Sequence, residues 1–154
     1  MSKVIIMRGL PGSGKSYVAD RINLNEDQPD SVTTIVSADH FHTDENGDYN
    51  YDPANAGDAH AQCFERFVIA LENADDLVIV DNTNTLLLEI APYVAFARLN
   101  DAETEIIHVM CPIRVAYDRN THGVPFDIIE KMWARTEDIP EFWPKETVVR
   151  FEEV

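Results

Sequence analysis

The stretch Gly9-Leu10-Pro11-Gly12-Ser13-Gly14-Lys15-Ser16 follows the pattern G-x-x-x-x-G-K-S. Those residue types at that spacing make a phosphate cradle. Glycines let successive backbone N–H groups curl round phosphate oxygens with no Cβ in the way. A helix starting there adds the partial positive charge of its N-terminus. Lys15 would reach the β- and γ-phosphates of a nucleotide, and the Ser16 hydroxyl would ligate Mg2+. Gly9, Leu10, Pro11, Gly12, Ser13, Gly14, Lys15, Ser16 and the adjoining Tyr17 are the expected nucleotide-binding set, with ATP and Mg2+ as expected cofactors. Two carboxylates, Asp39 and Asp81, follow short apolar stretches. Phosphoryl transfer needs one carboxylate to accept the proton of a hydroxyl, and a second can hold Mg2+ or its waters. The alternative for each is a carboxylate that merely caps its loop. Arg114 and Arg119 precede Gly123 in the chain. Either would stabilise charge on a transferring phosphoryl group, with Gly123 as a hinge. The alternative is a solvated helix face. His60 has the weakest claim and is expected to be a structural histidine at the buried end of its helix.

These residues need elements to hold them. Strand-like and helix-like segments alternate, the pattern of an α/β domain with a mostly parallel sheet. Strands are expected at Lys3–Arg8, Thr33–Ser37, Leu77–Val80 ending at Asp81, Glu105–Met110 and, as an edge, Thr147–Phe151. A helix should follow the phosphate loop over Lys15–Leu24. Residues 58–72 place His60, Phe64, Phe67 and Leu71 on one helical face. Residues 86–99 form another helical stretch, which Pro92 must either delay or kink. Residues 113–121 and 125–136 form a third, broken at Gly123, with Pro125 suited to a first turn. The segment 39–58 carries six acidic residues and no Lys or Arg. Its Asn46-Gly47 pair signals a tight turn, so it reads as an exposed loop or small hairpin. In open α/β sheets ligands bind at the carboxyl ends of the strands, where both carboxylates should lie.

The chain has 154 residues, 45% of them hydrophobic, which fits one compact domain over 1–154. No apolar run reaches the roughly 18 residues that span a bilayer, so no membrane partner is expected. The short apolar run after Lys3 leads straight into the glycine loop and reads as a strand rather than a leader. Cys63 and Cys111 stand in no metal-ligand spacing and are too few for a disulfide framework. They are expected to fill the core of a protein of the reducing cytoplasm. The formal charge is −16, from 28 acidic and 12 basic residues. Grip on a nucleic-acid backbone comes from Lys and Arg neutralising phosphates, so a long basic binding stripe is not expected. A small substrate, or one strand end in a short groove, remains open.

Four motifs together carry a resemblance: GLPGSGKS at 9–16, SADHF at 37–41, DNTN at 81–84 and RNTHGVP at 119–125. On these, from Val4 to about Glu137, the chain resembles the polynucleotide-kinase-type P-loop kinases, which include the kinase-like domain of the vertebrate NEDD4-binding proteins. The helix carrying Ala59-His60 is similar to its counterpart there. The resemblance implies a P-loop NTPase fold: a five-stranded parallel sheet flanked by helices, with a small helical lid near 114–126. By position it implies Asp39 as general base, Lys15 and Ser16 as phosphate and magnesium residues, and Arg119 as the lid arginine. Arg114 joins the expected nucleotide contacts. Asp81, Asn82, Thr83 and Asn84 match the segment that shapes the acceptor pocket. Three residues after the base, where the phage 5′-hydroxyl polynucleotide kinase has a phosphate-holding arginine, this chain has His42.

The leading expectation is an ATP-dependent kinase acting on a hydroxyl of a nucleic acid, at a strand end or on a hydroxymethylated base. The runner-up is a kinase of a nucleoside, sugar or nucleotide-sugar, which the acidic charge and His42 favour. The third is a nucleotide-dependent binding module without transfer, against which Asp39, Lys15 and Arg119 argue.

Overall fold

A computed structural model describes residues 1–25 and 28–151. The strands are β1 Lys3–Arg8, β2 Thr33–Val36, β3 Leu77–Asp81, β4 Glu103–Met110 and β5 Glu146–Arg150. They form one sheet in the order β2-β3-β1-β4-β5, and all four pairings are parallel. The helices are α1 Lys15–Asn25, α2 Asp39–His42, α3 Ala56–Glu72, α4 Leu87–Leu99, α5 Ile113–Arg119 and α6 Phe126–Ala134. The expected P-loop α/β sheet is present, and β5 is its edge.

Strand period explains the two cores. Successive side chains of a strand point to opposite faces. Val4 and Ile6 of β1 join Val78, Val80 and Ile106 under Cys63, Phe67 and Leu71 of α3 and Ile90, Tyr93 and Val94 of α4. Ile5 and Met7 face the other way, with Leu77, Ile79, Ile107 and Val109, against Ala19, Val18 and Ile22 of α1. Buried on both faces, β1 and β3 read as unbroken apolar runs. A third, smaller cluster of Leu10, Ala116 and Ile129 joins the phosphate loop to α5 and α6.

Several element boundaries moved. β4 begins at Glu103, two residues before the expected start, because Lys3 and Val4 of β1 pair with Glu103 and Thr104. Lys3 Nζ also meets Glu105 Oε2 at 3.3 Å. Apolar content alone cannot see such polar strand ends. α4 starts at Leu87, so Pro92 lies inside it. Pro125 is the N-cap of α6, not part of its first turn. His60 is exposed rather than buried. The inner face of α3 is Ala59, Cys63, Phe67, Ala70 and Leu71, so His60 sits one position off that stripe. It lines a surface groove with Phe64, Leu88, Glu89, Pro92 and Tyr93. The acidic segment is a short helix plus a small hairpin: Thr43 and Tyr49 form an antiparallel bridge across the Asn46-Gly47 turn.

Candidate functional site

The phosphate loop leaves the carboxyl end of β1, between β3 and β4, where the strand order reverses. That is the position at which open α/β sheets hold ligands. Gly9 has φ +148, and a Cβ there would stand 2.5 Å from the Val109 carbonyl oxygen. Gly12 has φ +79, and its Cβ would stand 2.0 Å from the Ala116 carbonyl oxygen of α5. Both positions therefore require glycine, and the second docks the loop on α5. Leu10 is buried in the same contact. Lys15 opens α1, whose first N–H groups have no partner within the helix. The Ser13 hydroxyl is buried and has no hydrogen-bond partner within the protein. A loop curled by glycines, a helix N-terminus and an unsatisfied hydroxyl fit a chain of phosphates.

Lys15 is buried, and its Nζ donates to the Leu10 carbonyl at 2.8 Å. Burial lowers its pKa; the charges of Asp81 and Asp39 act against that. The charges of both carboxylates thus bear on the lysine. Asp81, the last residue of β3, accepts a hydrogen bond from the Ser16 hydroxyl at 2.7 Å. Burial raises its pKa, while Ser16 and Lys15 pull the other way. A hydroxyl and a carboxylate in contact form an all-oxygen pair of the sort Mg2+ takes with substrate phosphates.

Asp39 is the first residue of α2. Its Oδ1 accepts from the Tyr49 hydroxyl at 3.4 Å, and its Oδ2 lies 3.6 Å from His122 Nε2. Burial, followed by the charge of Asp39, pushes the Tyr49 phenol up to about 12, so it remains a donor. The DNTN segment places this carboxylate. Asn82 Oδ1 accepts from the Ala38 backbone N–H at 2.8 Å, tying the start of α2 to the end of β3. Asn84, at φ 48, donates to the Met7 carbonyl at 2.7 Å, and its own carbonyl accepts from Arg8 Nε at 3.2 Å. The Thr83 carbonyl accepts from the Gly9 N–H at 2.9 Å. Asn82 and Asn84 are buried with their side chains engaged, whereas Asp81 and Thr83 keep exposed surface. The two asparagines thereby hold the loop that carries Asp81 and Thr83.

Arg119 ends α5, and its charge reaches Cys111 together with that of Lys15; burial pushes the Cys111 thiol up and the two cations oppose it. The charges of Arg119 and Lys15 thus both bear on the segment after β4. Arg114 is engaged elsewhere. It pairs with Asp118 at 3.5 Å and lies over the rings of Tyr117 and Phe126. Five positions on a helix turn a side chain to another face, which separates the two arginines. Tyr17 is exposed, edge-on to Phe151 and bonded to Arg21 at 3.1 Å. His42 is buried among Phe41, Tyr49 and Tyr51.

Two neighbours of Asp39 went unread in the sequence. Tyr49 follows the Asn46-Gly47 turn, and a hairpin there brings it back beside α2. His122 lies inside the RNTHGVP motif. A third missed residue, Arg8, is fully buried at the end of β1. Its guanidinium donates to the carbonyls of Thr85 and Glu137 and meets Glu146 at 3.2 Å. No pattern of apolar spacing flags a buried arginine.

Residues 4–131 match the family model described as AAA domain. NEDD4-binding protein 2 of Homo sapiens is 35% identical over 134 residues; the match covers 84% of this chain and 7% of that protein. The chain thus spans less than a tenth of that relative. Among solved structures, a gluconokinase from Sinorhizobium meliloti 1021 superposes with TM-score 0.66 at 17% identity, over 99% of this chain and 84% of that one. The Pnkp1/Rnl/Hen1 complex matches with TM-score 0.63 at 22% identity, over 94% of this chain and 45% of that one. The Mycobacterium tuberculosis APS kinase CysC, in complex with AMPPNP and APS, gives TM-score 0.63 at 16% identity, covering 96% and 88%. The resemblance to polynucleotide-kinase-type P-loop kinases stands on these matches, and the chain belongs to the AAA-domain family with a P-loop kinase-like fold.

Proposed function

We propose that the protein is an ATP-dependent kinase that moves the γ-phosphate to a hydroxyl of a nucleic acid, at a strand end or on a modified base. The observation that carries it is the convergence of Asp39, Asp81 and Lys15, with Ser16 hydrogen-bonded to Asp81. A binding module needs the phosphate loop alone; a transferase also needs a free carboxylate for the acceptor. Ser16 and Asp81 would hold Mg2+, which when bound neutralises phosphate charge. Lys15 would turn from the Leu10 carbonyl to the β- and γ-phosphates. Asp39 would orient the acceptor hydroxyl and take its proton as the new O–P bond forms and ADP leaves. Arg119, on a lid spanning about 114–126, would stabilise the charge that develops on the transferring group. Arg114, given its partners, has a supporting place at most.

A small-molecule acceptor is the second reading. The gluconokinase and APS kinase likenesses and the charge of −16 favour it.

The test is incubation with γ-labelled ATP and a panel of 5′-hydroxyl oligonucleotides, hydroxymethylated DNA, nucleosides and sugars. Labelled product should form with the nucleic acids and fall at least about 10²-fold in a folded Lys15→Ala protein. Label on sugars alone selects the second reading. Mg·ATP binding with no labelled product in any arm leaves a binding module.

A further inference from the structure

The side chains that touch Asp39 are rings. Tyr49 and His122 touch its two carboxylate oxygens, one ring from the hairpin and one from the loop between α5 and α6. Their centroids lie 3.9 Å apart with 47° between the planes. Tyr49 continues into His42 at 6.0 Å, and His42 into Tyr51 at 4.9 Å and Phe41 at 5.5 Å. The row is not a sealed core, since Tyr51 is 54% and Phe41 36% exposed. His122 rides on a firm carrier: Asn120 accepts from the Val124 N–H at 2.9 Å and donates to the Val124 carbonyl at 3.2 Å. The segment that carries all of the row but His122 is acidic. Residues 39–58 hold six carboxylates and no Lys or Arg. Lys15 belongs to the phosphate loop, where its charge also meets that of Asp39, and Arg119 ends α5.

We propose that Tyr49 and His122 are the acceptor-recognition residues, that they stack on the uncharged base of the terminal nucleoside carrying the accepting hydroxyl, and that phosphates beyond that nucleoside are not gripped. This rests on the kinase reading above and names what its acceptor site selects. A planar base has a π-face that stacks on aromatic side chains whatever its sequence. Tyr49 and His122, already against each other at 3.9 Å, form one joined platform beside the carboxylate on whose outer face the base stacks. The hydroxyl is thereby delivered to Asp39, which both rings already contact. A backbone phosphate approaching along residues 39–58 meets carboxylates and no lysine or arginine, so it contributes repulsion where a polynucleotide groove would contribute counterion release. The acceptor's ring is recognised, and its chain length is not.

The test is calorimetric binding to the full chain with saturating Mg·AMPPNP. The probes are thymidine 3′-monophosphate, oligothymidylates of about four and eight residues with free 5′-hydroxyls, and gluconate as a ringless polyol. The three thymidine probes should bind within about threefold of one another, and raising salt from about 50 to 200 mM should change each Kd less than about twofold. Tyr49→Leu and His122→Ala should each weaken binding about tenfold, Tyr49→Phe should keep it, and Mg·AMPPNP affinity should not change. Retained AMPPNP binding also shows that the variants fold. Affinity that climbs with length and falls steeply with salt would overturn the proposal in favour of backbone grip. Gluconate binding that ignores Tyr49→Leu would overturn it in favour of a ringless acceptor. Failure of the wild type to bind Mg·AMPPNP would instead remove the kinase reading, and this inference with it.

Discussion

The charges of Asp39 and Asp81 both bear on Lys15, yet their surroundings differ, and the proposed mechanism gives them separate work. Asp81 is bonded to Ser16 and pushed up by burial. Asp39 faces the ring row through Tyr49 and His122. Asp39→Asn keeps the shape but loses the proton-accepting oxygen pair. Single-turnover transfer should fall about 10²–10⁴-fold while calorimetry finds ATP affinity unchanged. Asp81→Asn should mainly raise the magnesium concentration needed for half-maximal rate. The reverse pattern, a dead Asp81→Asn that still binds Mg·ATP beside an active Asp39→Asn, would exchange their roles. The sequence singled out both aspartates, and the resemblance gave Asp39 the place of the base; the partners each carboxylate meets were left to the fold.

At the scale of elements, the phosphate loop is held from both sides. Glycine at position 12 lets it sit against α5, and the Thr83 carbonyl receives the Gly9 N–H. Gly12→Ala adds a methyl 2.0 Å from the Ala116 carbonyl, at a φ that disfavours side chains. Neither group is the end of a flexible side chain, so backbone must move. Denaturant unfolding should show a loss of about 1–3 kcal/mol. Nucleotide Kd should rise as α5 is displaced, with Arg119 at its end. Unchanged stability together with unchanged nucleotide affinity would mean that the loop and α5 are not coupled. The motif made Gly12 visible; its need for α5 was not, since α5 lies about a hundred residues further along the chain.

At the scale of the whole molecule, Arg8, His108 and Glu146 join β1, β4 and β5. Arg8 Nη1 meets Glu146 Oε1 at 3.2 Å, and His108 Nδ1 meets the same oxygen at 3.1 Å. Burial lowers the His108 pKa, and the Arg8 charge lowers it further against the pull of Glu146. The folded state therefore binds this proton less readily than the unfolded chain. His108 contributes stability that is present above the unfolded value near 6.5 and lost as pH falls through the folded value. One such group tilts stability by at most about 1.4 kcal/mol per pH unit. Denaturation midpoints of wild type should decline from pH 6.5 downward more steeply than those of His108→Gln. Parallel profiles would remove His108 from the pH response. Among the described residues, no helix is long and apolar enough to cross a membrane.

By itself the sequence determined the local structure. The apolar runs of β1 and β3, the glycine–lysine–serine spacing and the alternation of strands and helices are carried by neighbouring residues, whose periods and dihedral needs act over a few positions. The tertiary structure decided how distant pieces meet. It engaged Asn82 and Asn84 within the fold, exposed His60, and buried Arg8 among carbonyls contributed by residues 84, 85 and 137. It turned Arg114 towards Asp118 and Phe126 and brought Tyr49 and His122 together over Asp39. These outcomes depend on the β2-β3-β1-β4-β5 strand order and on backbone groups that need partners from remote segments. A buried polar group must be satisfied by whatever the fold places within reach, and side-chain spacing along the chain does not record what that will be.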